Sequence, residues 1–163
     1  MYKAVVITIS DSRSSRQAED ESGKIVGELV EKFPAEVIKY EIIPDEQDII
    51  KARLIDYCDK LKADLILTTG GTGFGARDFT PEATKEVIER EVPGIPEAMR
   101  MGCLGSTQRA MLSRAVAGIR GRTLIVNLPG SPRGAKESLE AVSQGILHGL
   151  DMMAGRKHRY DHS

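Results

Sequence analysis

The 163-residue sequence predicts a three-layer α/β domain, with a mostly parallel sheet, helices on both faces and one antiparallel strand. Three observations carry this expectation. Lys3 to Ile9 and Ala63 to Leu67 are short, nearly continuous apolar runs, the pattern of strands covered on both faces. Segments of helical period separate the strand patterns, giving the order β-α-β-α-β-α-α-β-β-α. Between Leu65 and Pro81 the chain reads L-I-L-T-T-G-G-T-G-F-G-A-R-D-F-T-P, a strand that breaks into glycines and restarts as a helix.

Taken in order, Lys3 to Ile9 ends at Ser10-Asp11-Ser12, and a polar stretch leads to a helix marked by Ile25, Val26, Leu29 and Val30 and closed by Pro34. Glu36 to Ile43 alternates, as a strand nearer an edge does. Pro44-Asp45-Glu46 ends it, and Ile49, Ile50, Leu54, Ile55 and Leu61 mark the next helix. After the glycine turn, Thr80 is placed as an N-cap with Pro81 at the first helical position, where its missing N–H costs nothing. That helix is expected to run to Arg90, with Pro93-Gly94-Ile95-Pro96 interrupting it before a second helix that carries Glu97, Met99 and Arg100. Thr107 to Arg114 reads equally as helix or loop. Ala115 to Ile119 and Thr123 to Leu128 form two strands across Arg120-Gly121-Arg122, which supply the antiparallel pairing. Ser131-Pro132 then starts a long helix to about Met153. Residues 1–155 are read as one domain and 156–163 as a basic, solvated tail with His158 and His162.

The formal net charge is −1 with acids and bases interspersed, so no basic footprint argues for nucleic acid. No apolar run approaches membrane-spanning length, and the N-terminus enters a strand pattern directly, so a cytoplasmic location without membrane partners is expected. Cys58 and Cys103 form no C-x-x-C and read as idle thiols. Asn127 is the only asparagine and 29% of residues are charged, a composition that leans toward a heat-adapted source.

Gly70, Gly71, Gly73 and Gly75 allow positive φ and close approach of a ligand to backbone N–H groups, the features of a phosphate cradle. Ala76 stands where a G-x-x-x-x-G-K-S/T loop needs its lysine, so that loop is excluded. Gly71-x-Gly73-x-x-Ala76 matches the relaxed dinucleotide fingerprint, but Glu89 and Glu91, about twenty residues on, fall in a helical pattern rather than at the end of the next strand. A glycine turn serving only strand-to-helix packing also fits these residues. In an open parallel sheet ligands bind at the carboxyl ends of the strands. Those ends carry Asp11, Asp45, Asp78 and the Asn127 to Ser131 segment. Asp45 could instead cap a helix with Asp48, Asp11 could cap a turn, and Asp78 could be a solvated loop acid. Glu97 and Arg100 share a helical turn and fit a surface ion pair. Ser113 fits an ordinary loop hydroxyl, and no cysteine or histidine is placed on the rim. Amides that hold phosphate beside carboxylates call for a cation between them, which points to Mg²⁺.

Thr69-Gly70-Gly71-Thr72-Gly73 with Arg77-Asp78-Phe79-Thr80-Pro81-Glu82, preceded by Ile43-Pro44-Asp45-Glu46 and followed by Asn127-Leu128-Pro129-Gly130, closely resembles the MogA/MoaB family of molybdenum cofactor biosynthesis proteins, whose domain recurs as the G domain of plant and animal homologues. Ser10-Asp11 and Asp20-Glu21-Ser22-Gly23 resemble the family's opening motifs, and the likeness spans about Lys3 to Met153. The resemblance implies the family's fold and a homotrimeric, Mg²⁺-dependent molybdopterin adenylyltransferase that uses ATP and releases pyrophosphate. A MoeA-type molybdenum insertase would receive the product. It assigns catalysis and metal binding to Asp45 and Asp78. It assigns substrate and phosphate binding to Ser10, Asp11, Thr69, Gly70, Gly71, Thr72, Gly73, Thr80, Glu97, Ser113, Pro129, Gly130 and Ser131. Some MoaB members keep the fold and pterin affinity without adenylylation, so a non-catalytic pterin-binding scaffold is the alternative. Phe74-Gly75-Ala76 departs from the more polar or proline-containing segment usual in the family.

Overall fold

A computed structural model describes residues 1–156. In chain order its elements are β1 (Tyr2–Ile9), α1 (Asp11–Ser14), α2 (Glu21–Val30), β2 (Ala35–Ile43), α3 (Gln47–Asp59), β3 (Leu65–Thr69), α4 (Thr80–Val87), β4 (Arg90–Glu91) and α5 (Gly94–Cys103). A 3₁₀ turn (Gln108–Leu112), β5 (Ala117–Arg120), β6 (Thr123–Leu128) and α6 (Pro132–Met153) complete them. The tail residues 157–163, with His158 and His162, lie outside the described residues.

The strands form one sheet in the order β2-β1-β3-β6-β5-β4. β2, β1, β3 and β6 are mutually parallel, while β5 runs antiparallel to both β6 and β4. This is the mostly parallel, three-layer arrangement expected, with β2 at an edge. Alternation along the strands divides the apolar side chains between two cores. Ala4, Val6, Leu65, Leu67, Leu124 and Val126 pack with residues of α2, α5 and α6. Val5, Ile7, Ile9, Ile66 and Ile125 pack on the other side with α3 and α4. Every residue of β3 and β6 is buried, which is why these runs carry no polar alternation. Each fully buried aliphatic side chain among them contributes about 1.5–3 kcal/mol relative to exposure.

Four details differ from the sequence expectation, the simplest being the strand expected over Ala115 to Ile119, which runs instead over Ala117–Arg120. The helix expected over Thr80 to Arg90 stops at Val87, because Glu89 N donates to Ile119 O (2.8 Å) and Val92 N to Ala117 O (2.9 Å), drawing the chain into β4. Glu89 and Glu91 therefore leave the helix, and Glu91 sits on an edge strand. Thr80 is not the cap. Phe79 holds that position without a side-chain bond, and the Thr80 hydroxyl is fully buried and donates to Gly70 O at 2.9 Å. The apolar run Ala63 to Leu67 slides two residues, since pairing with β1 and β6 carries the strand through Thr68 and Thr69. Ser131-Pro132 starts α6 as anticipated, with Ser131 Oγ accepting from Gly134 N at 3.0 Å.

Asn127 is fully buried and joins three elements. Its Nδ2 donates to Thr68 Oγ1 and Thr84 Oγ1 (both 3.0 Å), and its Oδ1 accepts from Val116 N at 3.1 Å. Asn127→Leu leaves the buried Val116 N–H without its acceptor and should cost about 1–3 kcal/mol. Urea unfolding should show a lower midpoint at an unchanged slope.

Alkaline pH should weaken the fold. Burial and the hydrogen bond to Asp151 push the Tyr2 phenol from its ordinary 10.0 up to about 12. Burial and the bond to Glu41 raise Tyr57 as well, and burial raises the Cys58 thiol from 9.0 to about 11. In each case the folded value lies above the unfolded one, so the fold prefers the protonated form. Stability is thus complete below the unfolded values and lost as pH rises through the folded ones. The urea midpoint should fall between about pH 9 and 12, and Tyr57→Phe should flatten that decline.

Candidate functional site

The order of the sheet reverses at β1, whose neighbours β2 and β3 lie on opposite sides. The carboxyl ends of β1, β2, β3 and β6 share one rim because these strands are parallel. Hydrogen bonds tie the segments leaving them. Ser10 N donates to Ile43 O (2.9 Å), Gly70 N to Leu128 O (3.1 Å) and Thr69 Oγ1 to Pro129 O (2.6 Å).

The glycine turn leaves β3 with positive φ at Gly70 (106°) and Gly71 (70°) only. Positive φ is absent at Gly73 and Gly75, contrary to the sequence expectation for all four glycines. Their role is proximity: a Cβ would lie 2.9 Å from Asp78 Oδ2 at Gly73 and 2.8 Å from it at Gly75. Gly70 and Gly75 also spend their N–H groups inside the fold, the latter on Asp78 Oδ2 at 2.8 Å. Among the described residues, the amides of Gly71, Thr72, Gly73 and Phe74 have no protein acceptor. Four consecutive bare amides form a ready anion-binding stretch.

Asp11 and Asp45 clasp each other through their backbones. Asp11 N donates to Asp45 Oδ2 (2.8 Å), and Asp45 N donates to Asp11 Oδ1 (3.0 Å). Asp45 therefore does not cap α3, whose N-cap Glu46 makes no side-chain bond, and the cap of α1 is Ser10 rather than Asp11. Arg77 closes the group with a bond from Nε to Asp11 Oδ2 at 2.6 Å. That hydrogen bond holds the Asp11 carboxyl below its ordinary value. Burial raises Asp45, and the negative charges of Asp11 and Asp78 push the same way, against the Asp11 amide bond and the Arg77 charge. Asp45 Oδ1 stands 3.3 Å from where a Cβ on Gly71 would lie, so Asp45 meets the turn at Gly71 and Asp78 meets it at Gly73 and Gly75. Among the described residues no group of three His, Cys, Asp or Glu side chains could hold a metal alone. Two carboxylates beside bare amides do fit Mg²⁺, which takes one or two protein carboxylates and completes its shell with phosphate oxygens and water.

A cavity of about 790 Å³ opens beside the turn. Of the residues singled out in the sequence, Gly71, Thr72, Gly73, Asp78, Ser113, Pro129, Gly130 and Ser131 line it. Ser10, Asp11, Asp45, Thr69, Gly70 and Thr80 do not line it, and all but Ser10 and Asp45 are tied by hydrogen bonds to the turn or its flanks. Glu97 is exposed on α5 and stands apart from the lining. Arg100 does not pair with it, and its Nη1 instead donates to Ser113 O at 3.2 Å. The expectation of a rim without cysteine fails: Cys103 lines the cavity, with Sγ 3.5 Å from Ser138 Oγ. The sequence reading also missed Arg109, Arg133 and Glu137 in the wall. Arg133 and Glu137, four residues apart on α6 and paired at 2.9 Å, offered the one visible signal.

Residues 5–149 match the family model described as a probable molybdopterin binding domain. The chain is 45% identical over 152 residues to the molybdopterin adenylyltransferase of Helicobacter pylori strain J99, covering 92% of this chain and 86% of that protein. It is 41% identical to the molybdenum cofactor synthesis protein cinnamon of Drosophila melanogaster, covering 91% of this chain but 25% of that protein. The crystal structure of the molybdopterin biosynthesis enzyme MoaB from Thermus thermophilus superposes with a TM-score of 0.91 at 48% identity, covering 96% of this chain and 98% of that one.

Proposed function

This chain belongs to the family of probable molybdopterin binding domains, and from that membership we propose that it is a molybdopterin adenylyltransferase acting in molybdenum cofactor biosynthesis. One observation supports it most directly: a stretch of bare amides, Gly71 to Phe74, lies at a cavity mouth between two aspartates delivered by different strand ends. The reaction is AMP transfer from ATP to the terminal phosphate of molybdopterin. A phosphate oxygen of molybdopterin forms a bond to the α-phosphorus of ATP. The bond from that phosphorus to the bridging oxygen breaks, and its electron pair leaves with pyrophosphate.

The protein's part is positioning and charge. The Gly71 to Phe74 amides steady phosphate oxygens, and Arg100 and Arg109 add positive charge to the cavity wall. Asp45 and Asp78 would hold Mg²⁺, which supplies neutralisation between the acid side chains and the phosphates when bound. The family resemblance further supports a cytoplasmic homotrimer that hands its product to a MoeA-type insertase. Incubation of purified protein with molybdopterin, ATP and Mg²⁺ should release pyrophosphate and form adenylyl-molybdopterin. Tight molybdopterin binding with no pyrophosphate would instead identify the non-catalytic scaffold.

A further inference from the structure

The segment between Gly73 and Asp78 bulges into solvent, with Phe74, Gly75, Ala76 and Arg77 exposed. A single side chain from a distant part of the sequence braces both of its ends. Arg114 Nε donates to Gly73 O (2.8 Å), and Nη2 donates to Asp78 O (2.8 Å). Its backbone N–H donates to Thr72 O at 2.9 Å, and Nη1 bonds Glu82 Oε1 on the first turn of α4. The guanidinium thus fastens the bulge entry, the bulge exit and the following helix in one plane. A flat fork of fixed donors can do this, whereas an ammonium on a flexible stem meets these directions one at a time. Burial of Glu82 works to raise its carboxyl, but the hydrogen bond and charge of Arg114 hold it below the ordinary value, so the anchor is ionised at neutral pH.

We propose that Arg114, oriented by Glu82, is the positioning residue for Asp78: it fixes the span of the Gly73 to Asp78 bulge and thereby where the Asp78 carboxylate sits beside the bare amides. The consequence for phosphate chemistry rests on the function proposed above; the consequence for the bulge does not. The internal bond Gly75 N–H to Asp78 Oδ2 (2.8 Å) reports the bulge directly. Removing a group that orients a metal-binding carboxylate typically costs 10–100-fold in metal affinity or activity.

The test uses the full chain with Arg114→Lys, Arg114→Ala and Glu82→Gln. Amide exchange of Gly75 should accelerate about tenfold or more in both Arg114 variants, while β3 amides keep wild-type protection. In turnover, the Mg²⁺ concentration for half-maximal rate should rise about 10–100-fold, and millimolar guanidinium should restore part of the rate to Arg114→Ala but not to Arg114→Lys. A merely structural role would move neither the magnesium requirement nor the rescue. Unchanged Gly75 exchange, or a wild-type rate and magnesium requirement in Arg114→Lys, overturns the assignment. Should Arg114→Ala not fold, Arg114→Lys and Glu82→Gln decide through faster Gly75 exchange and a raised magnesium requirement, and wild-type values of both in the two variants overturn the assignment. If the wild-type protein itself releases no pyrophosphate, the adenylyltransferase reading fails, and Gly75 exchange alone decides the role of Arg114.

Discussion

Asp78→Asn should lower pyrophosphate release by on the order of 10²-fold or more at saturating ATP, the scale set by losing one preorganised electrostatic contact to a developing charge. The substitution isolates charge from shape. Asparagine keeps an oxygen able to accept the Gly75 N–H, so the bulge and the cavity wall survive. What disappears is one of the two negative charges that flank the glycine turn. Steady-state assays with molybdopterin, ATP and varied Mg²⁺ should show the loss in kcat, with a thermal midpoint close to wild type. Asp45→Asn should act in the same direction, because its remaining oxygen still accepts from Asp11 N. If the two carboxylates act as one unit, the double variant loses much less than the product of the single effects. A rate within threefold of wild type for Asp78→Asn would end the metal-holding role given to that residue.

Gly70→Ala should be the most destabilising small substitution at the rim. The φ of 106° lies outside the conformation an L-residue adopts cheaply, and a Cβ would drive into the carbonyl oxygen of Ile9 at the end of β1. Backbone strain of roughly 1–3 kcal/mol adds to overpacking of similar size, for an expected loss of about 2–6 kcal/mol. At this chain length each kcal/mol lowers the melting temperature by about 2–4 °C, so a drop of roughly 5–25 °C is expected by calorimetry. Gly121→Ala is the control. Its φ of 57° is an ordinary left-handed value with open space around it, and the cost should be only about 1–2 kcal/mol. Equal losses at the two positions would mean that the Ile9 carbonyl yields to a Cβ at no cost and that backbone conformation alone sets the penalty.

Gly70, Gly71, Gly73 and Gly75 mark how far the sequence reaches. Their presence in a strand-to-helix turn is visible in the chain. Which two adopt positive φ, and which two merely make room for Asp78, depends on where Ile9 and Asp78 stand in space. The same holds for Thr80. Next to Pro81 it has the local pattern of a cap, yet the acceptor its hydroxyl finds is the carbonyl of Gly70, ten residues away.

By itself the sequence determined the apolar strand runs, their order with the helices, the glycine turn, the Ser131-Pro132 helix start and the acids at strand ends. These follow from side-chain period, proline and glycine sterics, and capping chemistry, all of which act between chain neighbours. Tertiary structure alone decided that α4 stops at Val87, that Asp11 and Asp45 clasp each other, that Cys103 lines the cavity beside Ser138 and that Arg114 braces the bulge of Asp78. Each joins groups more than twenty residues apart. A hydrogen bond is governed by distance and direction in space, and those exist only once the sheet has brought its strand ends to one rim.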